Sequence, residues 1–328
     1  MQWSENINIK MADIILILGA CGQIGTELTQ SLREIHGSEN VIASDIRYGD
    51  DEFVKEGPFE IIDATDREKI LEVIQKYSVS QVYLMAAMLS ATAEKYPQKA
   101  WELNMNSLLI ILELAREKHI KTVYWPSSIA VFGPASPKVN TPQDTIMNPT
   151  TVYGMSKLAG EHWCNYYHDK YGVDVRSLRY PGIISWKTKP GGGTTDYAVD
   201  IYFKAIEEGK FECFLDENTM LPMMYMNDAI KATIKIMEAD SKDIRIRTSY
   251  NLGAISFTPE EITNEIKKHL SGFEISYNPD FRQDIANSWP QIIDDSKARQ
   301  DWNWSHDFDL ASMTEEMLKN IQSKIISA

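Results

Sequence analysis

A tyrosine, a lysine and a serine stand at positions that suit proton transfer. Tyr153 and Lys157 are four residues apart at the start of a helix-like segment, so both side chains are expected on one helix face. Ser128 ends the strand-like segment KTVYWPSS, and its spacing from Tyr153 makes it a better candidate than Ser127. Taken alone, Tyr153 and Lys157 would more often be an ordinary exposed pair. The segment that ends at Ser128 favours a shared site.

These three residue types can together oxidise an alcohol. When hydride leaves an alcohol carbon, the hydroxyl proton must leave as well. A free tyrosine has a pKa of ~10, and an ammonium within ~4–6 Å lowers the pKa of a phenol by roughly 1–3 units. We therefore expect Lys157 to lower the pKa of Tyr153, so that the phenolate acts as general base. Ser128 is expected to hydrogen-bond the substrate oxygen.

A glycine-rich turn lies between the first strand-like segment, DIILILG, and the helix-like segment TELTQSLREIHG. Its glycines are spaced GxxGxxG. Glycine lets the backbone approach a pyrophosphate, and the following helix N-terminus offers free N–H groups with a partial positive charge. The sequence therefore predicts a dinucleotide site, with these cofactor-binding residues: Gly19, Gly22, Gln23, Ile24, Gly25, Asp45, Asp63 and Lys157.

Two carboxylates refine this cofactor prediction. Asp45 ends the second predicted strand, 20 residues after Gly25, where a carboxylate binds the adenosine ribose and repels a 2′-phosphate. This favours NAD over NADP, although Arg47 could pair with such a phosphate. Asp63, in IIDATD, follows the third strand and is either an adenine contact or a turn residue, and both alternatives remain open.

The elements that must position these residues alternate between strand and helix. Such alternation predicts an α/β fold with a doubly wound parallel Rossmann-type sheet. The alternation ends after residue 183, and we expect residues 184–222 to be irregular. The predicted division is a leader or alternative start at 1–10, an NAD-binding domain at 11–183 plus 223–254, and a smaller C-terminal substrate domain at 184–222 plus 255–328.

Composition narrows the functional class. The chain has 328 residues and a net charge of −14, which disfavours nucleic acid and anionic lipid as partners. Its three cysteines are far apart and have no CxxC spacing, so we expect neither a disulfide framework nor a metal site, and we expect a cytoplasmic protein. No apolar run approaches the ~20 residues that span a bilayer.

The Ser–Tyr–Lys set resembles that of the short-chain dehydrogenase/reductase superfamily, in its extended, epimerase-like branch. Asn104, in LNMNSLL, matches the helix asparagine of that superfamily, which is expected to support the lysine through water. Members that act on sugar nucleotides usually carry an asparagine at the end of a strand RYFN. This chain reads RYPG and has Gly182 there, which weakens the sugar-nucleotide interpretation.

Longer segments are similar to the short-chain L-threonine 3-dehydrogenase family, from about residue 12 to near the C-terminus. They are RYPGIISWKTKPGGGTTDYAVDIYFKAI, LPMMYMNDAIKA and DSKARQDWNW. The resemblance implies NAD-dependent oxidation of the C3 hydroxyl of L-threonine to 2-amino-3-oxobutyrate. It also implies a substrate-binding set of Ser90, Tyr153, Thr194, Thr195 and Trp289, with Trp289 covering the substrate. Core packing is the alternative for Trp289, and Arg179 and Lys187 are candidates for the substrate carboxylate.

The sequence also leaves two alternative functions open and predicts an oligomeric state. A nucleotide-sugar epimerase or dehydratase is the alternative enzyme. A non-catalytic, dinucleotide-sensing regulator is the alternative outside enzymes, although such proteins commonly lack the tyrosine or the lysine. The helices expected at 99–118 and 153–171 carry more apolar residues than one sheet face needs, and by analogy with related folds they predict a homodimer.

Overall fold

The structure, a computed structural model, describes residues 13–49, 52–187 and 193–327. The predicted leader and Gly191 and Gly192 lie outside the described residues. The strands are β1 (Ile15–Leu18), β2 (Val41–Asp45), β3 (Phe59–Ile61), β4 (Gln81–Leu84), β5 (Thr122–Tyr124), β6 (Ser127–Ser128), β7 (Asp174–Arg176), β8 (Leu178–Tyr180), β9 (Gly182–Ile184), β10 (Lys210–Cys213), β11 (Leu221–Tyr225), β12 (Tyr250–Asn251), β13 (Ile255–Phe257) and β14 (Glu274–Tyr277).

The α-helices are α1 (Gln23–His36), α2 (Arg67–Tyr77), α3 (Ser90–Lys95), α4 (Pro97–Arg116), α5 (Val152–Tyr171), α6 (Tyr197–Glu207), α7 (Met226–Glu238), α8 (Pro259–His269), α9 (Arg282–Ser288), α10 (Ser296–Trp302) and α11 (Leu310–Ser327). Of the helices in the described ranges, none is long and apolar enough to cross a membrane.

A six-stranded parallel sheet confirms the predicted fold class. Its strand order is β3-β2-β1-β4-β5-β7, and every pairing is parallel. The chain builds outward from β1 in one direction and then, from β4, in the other. Ligands of such sheets bind outside the carboxyl ends of the strands, where this reversal opens a crevice. The glycine turn follows β1 and therefore lies at that crevice.

Two extended segments are each divided in two, and the first of them, KTVYWPSS, was expected to be a single strand. KTVYWPSS forms β5 and β6, and VDVRSLRYPG forms β7 and β8. β5 and β7 stay in the six-stranded sheet, whereas β6 and β8 join β12 in a separate three-stranded sheet. Pro126 stands at the first division, and proline has no N–H with which to continue a hydrogen-bonded ladder.

The expectation that residues 184–222 are irregular is wrong for much of that range. It contains α6 and β10, and it ends in β11, which pairs with β9 and β13 in another three-stranded sheet. Tyr197, Ala198, Ile201, Tyr202 and Ala205 are buried at helical spacing in α6. This helical pattern was obscured because α6 begins directly after a glycine- and threonine-rich stretch.

Three hydrophobic clusters hold these layers together. Two of them contain the buried side chains of the six-stranded sheet and of the helices beside it. The third joins the residues that follow β6 to α6, α8 and α11. Trp302 and Trp304, from the late chain, pack with the β1 and β2 side chains, so the late chain contributes to the core of the main sheet. The domain boundaries given above stay a prediction.

Candidate active site

The glycine turn is held by contacts that leave no space for a side chain at its first and last glycines, Gly19 and Gly25. Gly19 has φ +89°, and a Cβ there would lie 2.6 Å from the backbone nitrogen of Ala86. A Cβ on Gly25 would lie 2.9 Å from Ala20 Cα and would also contact the Gly19 carbonyl. Gly22 is the N-cap of α1, and no described side chain caps this helix. Its first N–H groups therefore point toward a cradle that fits a pyrophosphate.

Asp45 is fixed beside this cradle. Its Oδ2 accepts a hydrogen bond of 3.0 Å from the Cys21 amide, and its Oδ1 accepts one of 2.8 Å from the Ile46 amide. Asp63 stands in an exposed turn, where its Oδ1 accepts hydrogen bonds from the amide and the hydroxyl of Thr65. The structure thus shows the turn alternative for Asp63, while adenine contact stays a prediction.

Ser128 and Tyr153 are brought together by the approach of α5 to the end of β6. The Thr151 hydroxyl caps α5 by accepting from the Gly154 amide at 3.1 Å. Gly154 permits the approach, because a Cβ there would contact the Ala130 carbonyl and lie 2.8 Å from Pro149 Cβ. Burial raises the pKa of Tyr153 to about 12, and its hydrogen bond with Ser128 acts in the opposite direction.

Lys157 is buried next to Tyr153, with 2% of its surface exposed. Its Nζ donates a hydrogen bond of 2.6 Å to the Pro126 carbonyl and lies 4.5 Å from the Trp125 ring centroid. The same Nζ is 5.5 Å from the Tyr153 ring centroid. Burial lowers the pKa of Lys157 to about 7, against the opposing influence of Cys164 and Glu161.

This arrangement differs in one respect from the sequence-based expectation. Lys157 was expected to lower the pKa of Tyr153, yet the pKa of the phenol is raised. The physical reason is that burial disfavours the phenolate, and that the Lys157 ammonium is directed at the Pro126 carbonyl. Ser128, Tyr153 and Lys157 do lie together, as the spacing predicted.

Sequence reasoning missed a buried ion pair behind the site. Glu161 Oε1 and Oε2 accept from Arg179 Nε and Nη2 at 2.9 and 2.8 Å, and both side chains are at most 2% exposed. Glu161 Oε1 also accepts from the Ser127 hydroxyl at 2.6 Å. The repeated spacing of four could have placed Glu161 on the helix face of Tyr153 and Lys157, but it gives no sign of the pairing with Arg179.

Neither candidate for the substrate carboxylate has an unpaired charge. Arg179 donates to Glu161 and also to the carbonyl of Gln143 and the side chain of Asn251. Lys187 Nζ lies 3.4 Å from Glu27 Oε2 and has a hydrogen bond with Gln30. Arg179 is therefore a buried structural residue in this site.

Asn104 fixes the loop that follows β4. Its Oδ1 accepts from the Met88 amide at 2.8 Å, and its Nδ2 donates to the Met88 carbonyl and to the Ser156 hydroxyl, both at 3.2 Å. Ser156 directly precedes Lys157 on α5. Asn104 therefore joins the loop before Ser90 to the helix that carries the lysine.

The remaining candidates for substrate contact lie at the start of α3, in the turn before α6 and directly after α9. Ser90 is half-buried and begins α3. Thr194 is buried and Thr195 half-buried in the turn before α6. Trp289 is 7% exposed and packs in the third hydrophobic cluster, so the structure shows the core alternative, and a role over substrate stays a prediction. Residues 13–49, 52–187 and 193–327 contain no group of three or more His, Cys, Asp or Glu side chains that could hold a metal ion.

Comparisons with known proteins agree with this geometry. The L-threonine dehydrogenase of Cupriavidus necator, in its holo form, has a TM-score of 0.91 and 54% identity, over 94% of this chain and 99% of that one. A monomeric L-threonine 3-dehydrogenase from a metagenome has a TM-score of 0.91 and 47% identity, over 95% of this chain and 99% of that one.

A Staphylococcus aureus (strain USA300) protein, named an uncharacterized epimerase/dehydratase, is 52% identical over 312 residues, or 94% of this chain and 97% of the relative. The model of the NAD-dependent epimerase/dehydratase family matches residues 15–253, which is well over half of the chain. Together with the fold and the glycine cradle, these matches show that the chain belongs to the NAD-dependent epimerase/dehydratase family.

Proposed function

We propose that this chain is an NAD-dependent oxidoreductase that converts L-threonine to 2-amino-3-oxobutyrate by oxidising its C3 hydroxyl. The observation that carries the proposal is the grouping of Ser128, Tyr153 and Lys157 at the end of β6, in a chain 54% identical to a holo L-threonine dehydrogenase. NAD, when bound, supplies the acceptor for the hydride that leaves C3.

The glycine cradle and Asp45 are the proposed holders of NAD. A cradle in which a Cβ added at Gly19 or Gly25 would collide with the backbone fits a pyrophosphate, and the charge of Asp45 favours a ribose with a free 2′-hydroxyl. Lys157 is the proposed contact to the second ribose. The Lys157 ammonium, which donates to the Pro126 carbonyl in this structure, would donate to that ribose when NAD is bound.

Tyr153 is the proposed acceptor of the hydroxyl proton, and Ser128 orients the alcohol oxygen. The proton passes from the C3 hydroxyl to the Tyr153 oxygen while two electrons leave C3 as hydride, so a ketone remains. Burial raises the pKa of the phenol to about 12, so the phenolate becomes more populated as pH rises. Ser90, Thr194, Thr195 and Trp289 are the proposed further contacts to the amino acid.

The proposal includes a cytoplasmic homodimer formed through α4 and α5. These two helices pack on each other, and they expose the large aromatic side chains of Trp101, Trp163 and Tyr166. The metagenome relative described above is monomeric, so the mass of the protein in solution by light scattering decides this part of the proposal.

The deciding experiment measures NADH formation at 340 nm with L-threonine, its stereoisomers, L-serine and UDP-glucose. We expect L-threonine to be preferred. Tyr153→Phe is expected to leave NAD binding intact and to lower turnover by roughly 10²–10⁴-fold, as for a lost acid–base group. Tyr171→Phe, at the exposed far end of the same helix, is the matched control. A Tyr153→Phe variant with normal turnover would show the assignment to be wrong.

A nucleotide-sugar epimerase or dehydratase is the second candidate, because the S. aureus relative carries that name. In the presence of NAD, a UDP-sugar and not L-threonine would then raise the melting temperature. A non-catalytic regulator would bind NAD and form no NADH with any alcohol.

A further inference from the structure

Gly182 is the first residue of β9 and lies two residues after the end of β8, the strand that pairs with β6 and its Ser128. There is no room for a side chain at this position. An added Cβ would lie 2.7 Å from both Cβ and Cγ2 of Thr195, and it would also contact Met223 Sδ. Gly182 is not among the described glycines with positive φ. Glycine is therefore required here by the space that Thr195 occupies, and not by the backbone conformation.

This contact lies next to the proposed alcohol site. Ser128 of β6 pairs with Tyr180 of β8, and Gly182 follows Tyr180 by two residues. Two residues of strand span roughly 6.6 Å. Tyr153 packs on the same hydrophobic cluster as Ile184 of β9. Gly182, and with it the contacting Thr195, therefore lies only two residues along the chain from the strand position that pairs with Ser128.

Thr195 can move only together with the turn that precedes α6. Its carbonyl accepts from the Ala198 amide at 3.1 Å, and the adjacent Asp196 accepts from the Gly193 amide at 2.7 Å. Tyr197, the first residue of α6, is fully buried. Met223 differs, because only the flexible end of its side chain meets the added atom. A methyl group at position 182 would therefore displace Thr195 and not the strands.

We propose that Gly182 determines substrate size: because it has no side chain, Thr195 seats against β9 and leaves space for a small hydroxy amino acid in front of Ser128. The identity of the substrate in this inference rests on the proposed function, whereas the contact between Gly182 and Thr195 does not depend on it. A Cβ at 2.7 Å is short of ordinary carbon contact by roughly 0.7 Å, which is the displacement that Thr195 must make.

The kinetic test compares Gly182→Ala with the wild type. A misplacement near 1 Å can lower the rate by 10²-fold, so we expect kcat/KM for L-threonine to fall by roughly 100-fold, with KM for NAD unchanged. L-serine lacks the methyl group and needs less space, so its kcat/KM relative to L-threonine is expected to rise. Gly272→Ala is the matched control, because a Cβ there has nothing within 4 Å. An unchanged serine-to-threonine ratio would overturn the inference.

A second variant and a structural measurement separate this inference from the proposed function. Thr195→Ser removes the methyl that packs on Gly182 and keeps the hydroxyl, so we expect the serine-to-threonine ratio to fall. A crystal structure of Gly182→Ala is expected to show Thr195 displaced by at least about 0.5 Å. If Thr195 is unmoved and Met223 alone has shifted, the inference fails whatever the substrate is. If the wild type does not oxidise L-threonine, the proposed function fails while this displacement still tests Gly182.

Discussion

Replacing Lys157 by methionine is expected to abolish NADH formation and yet to make the folded protein more stable. The ammonium is almost fully buried, and burial lowers its pKa from 10.5 to about 7. At 1.36 kcal/mol per pKa unit, this shift corresponds to about 5 kcal/mol of destabilisation by the charged form. Methionine has a similar stem and carries no charge.

The sign of the pH dependence follows from the lowered pKa. Between pH 7 and 10.5 the unfolded chain binds the lysine proton and the folded chain does not, so wild-type stability rises with pH across this window. The full destabilisation is present below pH 7 and is absent above about pH 10.5. The hydrogen bond to the Pro126 carbonyl, lost in the variant, offsets about 1 kcal/mol of the gain.

The net gain of about 4 kcal/mol can be converted to a melting temperature. At ~2.1 cal/mol/K per residue, a chain of 328 residues has an unfolding entropy of ~0.7 kcal/mol/K, so we expect Lys157→Met to melt about 6 °C higher than the wild type at pH 6.

The assay is thermal unfolding of both proteins from pH 6 to pH 10. The difference should shrink toward zero or below as pH rises. The exposed Lys267, changed to methionine, is the control. A difference that does not vary with pH, or a variant that melts lower at pH 6, would refute the reasoning.

Two further substitutions test other parts of the site. Glu161→Gln leaves the Arg179 guanidinium buried without its carboxylate, so it should lower stability by about 3–5 kcal/mol and the melting temperature by ~4–7 °C; an unchanged scanning-fluorimetry midpoint would contradict this. Asp45→Asn keeps an acceptor for the Cys21 amide and removes the charge that repels a 2′-phosphate. It should lower the preference for NAD over NADP by about tenfold, measured as the ratio of the two kcat/KM values. If this ratio is unchanged, Asp45 does not select between the two cofactors.

Much of the fold could be predicted because its signals are local. The buried run of β1, the glycine turn and the long α4 and α5 are each encoded within about 20 residues of sequence. The capping box of α8, in which Thr258 and Glu261 bond each other's backbone amides, is likewise encoded within a few residues. Ser128, Tyr153 and Lys157 could be identified from the sequence, because a strand that ends at Ser128 and a helix that begins near Tyr153 bring the three side chains together when they are adjacent.

The rest depends on contacts between distant segments. The pairing of Glu161 with Arg179 requires β8 to lie beside α5, and nothing local in either segment predicts it. The rise in the pKa of Tyr153 depends on how completely the site excludes water, which is a property of packing. The division of the KTVYWPSS strand could have been predicted from Pro126, since proline cannot continue a ladder.

The short strands beside the site pair outside the main sheet. The glycine turn follows β1 of the six-stranded sheet, whereas Ser128 and Gly182 belong to two different three-stranded sheets. Substitutions at Ser128 or Gly182 therefore leave the hydrogen-bonded ladder of the six-stranded sheet intact. An evolving lineage, or an engineer, can vary these two positions independently of the strands that carry the glycine turn.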